Sequence, residues 1–167
     1  MTDLLGSMDD LWMAEALAEA KKAALKGEVP VGAVMVYNEK VIARAHNQPI
    51  SSCNPVAHAE MLALQAAAKA IGNYRLVNCD LYVTLEPCTM CAGAIVHSRV
   101  RRVIYGAVEP KAGAIASSSQ VLDQPQMNHK VAATSGVMAE ACSEIISAFF
   151  NMRRQQIKEE KKKLRLS

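Results

Sequence analysis

Two short segments constrain this chain more than anything else in it: His58-Ala59-Glu60 and Pro87-Cys88-Thr89-Met90-Cys91. Each stands where a helix is expected to begin, the second directly after a strand-like run. In helical geometry Cys88 and Cys91 are three apart and share a face. Two thiolates at that spacing can reach one metal ion at about 2.3 Å, and helix N-termini favour the thiolate form. A histidine nitrogen from a neighbouring helix start supplies a third ligand. The fold must therefore bring two helix N-termini together. Three protein ligands leave a tetrahedral zinc with one open position, the pattern of catalytic rather than structural sites. Taken singly, neither half says much: a C-x-x-C pair is as often redox-active as metal-binding, and H-A-E alone carries almost no information. Their conjunction carries the argument.

Glu60 lies two residues beyond His58, so it points away from the ligand direction yet stays within a few ångströms. It reads as a proton carrier rather than a fourth ligand. Zinc lowers the pKa of water, and a nearby carboxylate can take and redeliver the proton. H-x-E followed by P-C-x-x-C is the signature of the zinc nucleobase deaminases.

The rest of the chain is consistent with one α/β layered domain spanning 1–167. Its 167 residues are 51% hydrophobic but only 4% aromatic, so Ala, Val, Leu, Ile and Met must fill the core. Ser7 and Asp10 are candidate caps for a helix from about Asp10 to Leu25. Val31 to Tyr37 and Lys40 to Ala45 read as a hairpin turning at Asn38-Glu39. Residues 46–56 form a loop, and Ala57 to Ile71 a helix closed by Gly72-Asn73. Asp80 to Leu85 is a strand, and Pro87 opens a helix to about Ser98 at the first-turn position proline tolerates. Val103 to Ala107 and Val131 to Ser135 are further strands, separated by a long segment without period. A basic helix is expected from about 139 to 165. The odd count of five cysteines argues against a disulfide framework. Cys79 and Cys142 read as packing residues, and Cys53 as a loop thiol near His58. With neither a secretory signal nor a long apolar run, no membrane association is expected, and the cytoplasm is the expected location.

The sequence closely resembles the bacterial tRNA-specific adenosine deaminases of the cytidine-deaminase-like superfamily. The resemblance runs from about Trp12 to Lys158. It is carried by Glu28 to Val34, Asn47-Gln48-Pro49, Ala57 to Glu60, Asn73 to Leu76, Leu81 to Ala94, Met127-Asn128-His129 and Phe149 to Arg154. It implies a three-layer α/β/α fold with a central five-stranded mixed sheet. It also implies a homodimer, with one Zn2+ per subunit, that converts adenosine to inosine at the wobble position of a tRNA anticodon stem-loop. His58, Cys88 and Cys91 match the zinc ligands, and Glu60 the general acid/base. Asn47 matches the side chain that contacts the flipped base, Val31 an apolar wall of its pocket, and Ala59 a source of backbone contacts. The backbone around Pro87 stands at the mouth of the site. Glu109 replaces the family's usual Asp beside the target ribose-phosphate, and Ala116 replaces a glycine in the segment that follows.

Substrate size must be argued elsewhere, because deaminases of free bases share the zinc motif. The net charge of +3 hides a split. Asn151 to Ser167 carries 7 basic and 2 acidic residues, whereas residues 1–150 carry 12 and 14. A basic helix beside a site that admits an anticodon loop fits phosphate contact. Arg153 and Arg154 are the leading RNA candidates there, with Lys111 and His129 behind them; Phe149 and Phe150 could stack on RNA or pack, and their helical spacing assigns one of the two to the core. Two alternatives stand beside this one. A deaminase of a free purine or pyrimidine base or nucleoside would not need the basic helix. A non-catalytic, zinc-stabilised RNA-binding module would need neither Glu60 nor an open zinc position.

Overall fold

The fold is built around a sheet whose three central strands are buried on both faces. The computed structural model describes residues 2–167, with side chains from Met8 onward. Five strands, β1 (Gly32–Tyr37), β2 (Lys40–His46), β3 (Asp80–Leu85), β4 (Arg102–Ala107) and β5 (Ala132–Thr134), lie in the order β2-β1-β3-β4-β5. β1 pairs antiparallel with β2 and β3, whereas β3–β4 and β4–β5 are parallel. The β1–β2 turn is Asn38-Glu39, and both residues have positive φ, as the tight turn matched to strand twist requires.

Strand alternation divides the core into two layers. Ala33 and Met35 of β1, Leu81 and Val83 of β3, and Val103 and Tyr105 of β4 face one way. They pack against α2 (Ala59–Ile71) and α3 (Thr89–His97). Val34, Val36, Tyr82 and Ile104 face the other way, against Met13, Ala16 and Leu17 of α1 (Thr2–Leu25) and Cys142 of α4 (Ala139–Leu166). The result is the expected three-layer α/β/α arrangement on a five-stranded mixed sheet.

Several boundaries differ from the sequence reading. α1 begins at Thr2 rather than near Asp10, so Asp10 lies inside the helix as an exposed residue and caps nothing. The candidate cap Ser7 has a side chain outside the described residues. The neighbouring Asp9 is turned into the fold, where it accepts hydrogen bonds from the Tyr82 hydroxyl at 2.6 Å and from Arg102 at 2.7 Å. Pro87 is not in the first turn of α3; the helix starts at Thr89 with Cys88 as its extended N-cap. The aperiodic segment before β5 contains a short 3₁₀ turn, Val121–Asp123, whose Leu122 is buried in the core.

Small residues set how closely helices approach the sheet. A Cβ on Gly32 would stand 2.0 Å from the Ala16 carbonyl oxygen and 2.5 Å from the Ala20 amide nitrogen, both α1 backbone atoms that cannot step aside. We therefore expect Gly32→Ala to destabilise the fold by about 2 kcal/mol or more through overpacking. Urea unfolding monitored by circular dichroism measures this, and an unchanged midpoint would contradict the close α1–β1 contact.

Candidate metal and catalytic site

Two helix N-termini converge at the carboxyl end of β3. His58 is the extended N-cap of α2, and Cys88 the extended N-cap of α3. His58 Nδ1 lies 3.6 Å from the sulfurs of both Cys88 and Cys91. The three ligand atoms fall within 4.8 Å of one another and form the one such cluster among the described residues. A tetrahedral zinc with ordinary Zn–S and Zn–N bond lengths has S···N edges of about 3.6 Å, so the donor set fits the ion.

The electrostatics of the pair favour a metal. The Cys88 thiol is pulled down to about 5, chiefly by a hydrogen bond from Cys91, with the His58 ring adding to the effect. Cys91 is pushed far up by that same hydrogen bond, by burial and by Glu60. Metal binding would take the ligating sulfurs as thiolates, so a dication would displace the proton that the hydrogen bond to Cys88 and burial hold on Cys91. Cys91 also donates to Glu60 Oε2 at 2.8 Å. Glu60 is 4% exposed, and burial raises its carboxyl pKa above the ordinary carboxylate range. A buried carboxyl poised beside a metal site is suited to move protons.

The structure brings His58, Cys88, Cys91 and Glu60 together, ties Asn47 to them through Ala59, and places the remaining sequence-predicted residues in separate surroundings. Asn47 is buried next to the end of β2, its N–H bonded to the Val31 carbonyl at 3.0 Å. Its Oδ1 accepts the Ala59 N–H at 2.8 Å, which ties the loop to the first turn of α2. The Ala59 N–H is therefore already engaged by Asn47. Val31 is buried in the α2–α3 layer of the core. The Pro87 carbonyl accepts the Ala114 N–H at 2.8 Å. Glu109, Lys111, Phe150 and Arg154 line one groove of about 660 Å³. Phe149, Arg153 and Arg154 line a second of about 330 Å³, opposite Val29, Pro49 and Ile50. Phe149 is buried edge-on to Phe150, which is exposed. His129 stands apart: its Nε2 bonds the Val100 carbonyl at 2.8 Å, before β4 and so at the opposite end of the parallel strands. Cys79 and Cys142 are buried packing residues, and Cys53 is exposed and outside the metal-ligand cluster.

Two buried glutamates organise this cleft, and sequence reasoning missed both. Glu86, two residues before Cys88, accepts N–H groups of Glu109, Ile115, Ala116 and Ser117 at 2.9–3.2 Å, and the Ser117 hydroxyl at 2.5 Å. A Cβ on Gly113 would fall 2.4 Å from the Glu86 carboxyl carbon, so only glycine allows the loop to wrap this closely. Ala116, which stands where the family has a glycine, is not among the residues with positive φ and donates normally. Glu28 likewise accepts N–H groups of Ile50 and Ser51, and the Ser51 hydroxyl. The only sequence hint was a glutamate inside an otherwise apolar or turn-forming run.

The MafB19-like deaminase family model matches residues 8–154. A tRNA-specific adenosine deaminase of Bacillus subtilis (strain 168) is 49% identical over 158 residues, 95% of this chain and 98% of its own. That of Haemophilus influenzae is 51% identical over 154 residues, 92% of this chain and 89% of its own. This chain belongs to the tRNA-specific adenosine deaminase family. A structure solved in a study of A-to-I editing by tRNA:A34 deaminases superposes with a TM-score of 0.79 at 45% identity, over 80% of this chain and 97% of that one. A guanine deaminase from Bacillus subtilis is more distant in both respects, with a TM-score of 0.58 at 31% identity, over 84% of this chain and 92% of that one.

In this family member, burial alone would raise the Glu86 pKa, but the donors of Ala116, Ser117 and Glu109 outweigh it and hold the group below its ordinary 4.5. A depressed folded value means the contribution is complete above the unfolded value and is lost as pH falls through the folded one. Glu86→Gln should cost about 1–3 kcal/mol at pH 7. The gap to wild type should stay constant above about pH 5 and close on acidification below the ordinary value of 4.5. Unfolding titrations of both proteins across pH read this directly. A gap independent of pH would show that Glu86 is not the ionised hub of the loop.

Proposed function

We propose that this protein deaminates adenosine to inosine at the wobble position of a tRNA anticodon. The observation that carries the reading is Glu60, buried and in contact with Cys91 of a three-ligand cluster whose spacing fits zinc. His58, Cys88 and Cys91 would hold the ion. Bound there, zinc would act as a Lewis acid that makes water a stronger nucleophile near neutral pH. Glu60 accepts the proton of the water that attacks C6 of adenine and passes it to N1. It then takes the proton of the hydroxyl now on C6 and delivers it to the amino group, which leaves as ammonia as the C6–N bond breaks and the C6 carbonyl forms. The raised pKa of Glu60 suits a group that must both take and give a proton. With its Oδ1 held by the Ala59 N–H, Asn47 has its amide N–H₂ to offer the base. Val31 supplies an apolar wall and Pro87 the rim. Glu109 and Lys111 lie where the ribose-phosphate of the target nucleotide enters.

The RNA reading is supported by α4, which carries Arg153 and Arg154 along grooves flanking the loops that frame the cleft. Free-base deamination would leave this basic helix without a task. A non-catalytic module would leave the buried Glu60 without one. The free cysteine pair and the tRNA substrate fit a cytoplasmic enzyme, and no helix among the described residues is long and apolar enough to cross a membrane. A homodimer with one site per subunit is part of the same proposal, as is a single deaminase domain over 1–167.

One assay tests the substrate class: a tRNA bearing adenosine at the wobble position is offered beside free adenine, guanine, cytosine and their nucleosides. Inosine is expected in the tRNA alone, and conversion of only a small molecule would sink the reading. Glu60→Ala should retain one zinc per chain by metal analysis while turnover falls by about 10²-fold or more. Normal turnover in that variant would remove Glu60 from the chemistry. R153Q/R154Q should weaken tRNA binding and make it less dependent on salt, by about one unit of log–log slope or more. Unchanged binding would reduce these arginines to a solvated helix face.

A further inference from the structure

The loops that lead into the parallel strands meet at the end of the sheet opposite the metal ligands. Arg75 and Asn78 precede β3, Arg99 and Arg101 precede β4, and His129 and Lys130 precede β5. Together they line a pocket of about 440 Å³. Its lining contains four permanently cationic side chains and no acid. Arg101 is neutralised by a two-pronged contact to Asp80 at 2.9 and 2.7 Å. Among the described residues the other three cations have no carboxylate partner. Arg75 instead bonds the Tyr74 hydroxyl at 3.1 Å, and Arg99 the Asn128 side-chain oxygen at 2.8 Å. The His129 ring is fixed by its bond to the Val100 carbonyl.

The backbone adds a second observation. Asn78 and Arg99 both adopt left-handed conformations, with φ of 64° and 60°. Asparagine tolerates this region, but arginine enters it seldom. Such residues persist where the surroundings hold them, and they gather at ligand sites. Val77 is the one purely aliphatic side chain in the lining, so the pocket offers no apolar slot for a base. Three uncompensated cations converging without such a slot recognise phosphate.

We propose that this pocket binds a phosphate of the RNA backbone, away from the nucleotide being deaminated. The proposal rests on the tRNA reading above. β3 separates the pocket from Cys88, and a six-residue strand spans about 20 Å. The phosphate therefore belongs to a part of the tRNA other than the wobble nucleotide. The pocket gives the RNA a second anchor and explains why His129 lies far from the catalytic cleft.

The test compares the full chain with an R75Q/R99N/K130Q variant. Asparagine at position 99 tolerates the left-handed backbone, and thermal melting checks the fold; R75Q/K130Q serves if the triple variant melts early. Affinity for a tRNA with adenosine at the wobble position is measured across a potassium chloride series, and deamination is followed on the same tRNA. The expected result is an affinity loss of about fivefold or more and a salt slope shallower by about 2, with the loss expressed in KM. Equal slopes with intact deamination overturn the pocket and leave the deaminase reading standing. Failure of the wild type to deaminate the tRNA overturns that reading instead, and inorganic phosphate then decides the pocket. A rise in wild-type Tm that the variant lacks assigns it to free phosphate, and no rise overturns it.

Discussion

The buried carboxylate of Glu86 is the constraint on which the catalytic cleft depends. A charge this deep is unfavourable unless every lone pair finds a donor. Glu86 meets that requirement with backbone and hydroxyl groups from one loop, residues 109–117. The loop is thereby pinned beside the residues that lead into Cys88, and its Ala114 N–H is held by the Pro87 carbonyl. Glu28 performs the same task on the other side and holds residues 50–51. The cleft is shaped by two loops that own little regular structure, each wound around one anionic centre.

Between these loops the site is set by helix ends rather than by helix faces. His58 and Cys88 occupy equivalent N-cap positions on two helices that follow the sheet. Their extended backbones turn the ligating side chains across the ends of the helices and toward each other. Cys91 and Glu60 then come from the first turns of the same two helices, where the hydrogen bond to Cys88 and burial raise Cys91, and burial raises Glu60, against the field of the helix. Asn47 fastens the loop after β2 to the same helix start as the metal ligand. The position of Asn47 is thus indexed directly to His58.

Much of this was legible in the sequence because periodicity and turn chemistry are local. β3 falls at Asp80–Leu85 as read, and the Asn38-Glu39 turn and the Gly72 helix end are both where local chemistry puts them. The ligand trio was legible because zinc restricts donor type and spacing so tightly. What escaped was long-range. A buried glutamate such as Glu86 or Glu28 is indistinguishable in sequence from a surface one until its donors are known. The start of α1 was misplaced because Ser7 and Asp10 look like caps, whereas the helix runs through Asp10 and the neighbouring Asp9 is spent on Tyr82 and Arg102 far along the chain. Pro87 was put two residues too far into its helix because proline at a helix start does not reveal which residue is the N-cap. His129 was grouped with the cleft through its neighbours in sequence, and the parallel topology carries it to the other end of the sheet.

The last helix divides its labour along its length. Cys142 and Phe149 are buried, and every residue from Phe150 to the end is exposed. The helix is about 42 Å long, so roughly half of it is a cantilever fixed at one end. Substitutions beyond Ile157 touch no buried residue, whereas Cys142 and Phe149 fix the root. Conformational stability and polyanion affinity are therefore separately adjustable on a single element. The outer turns can gain or lose lysines over time while the domain that anchors them keeps the same melting point.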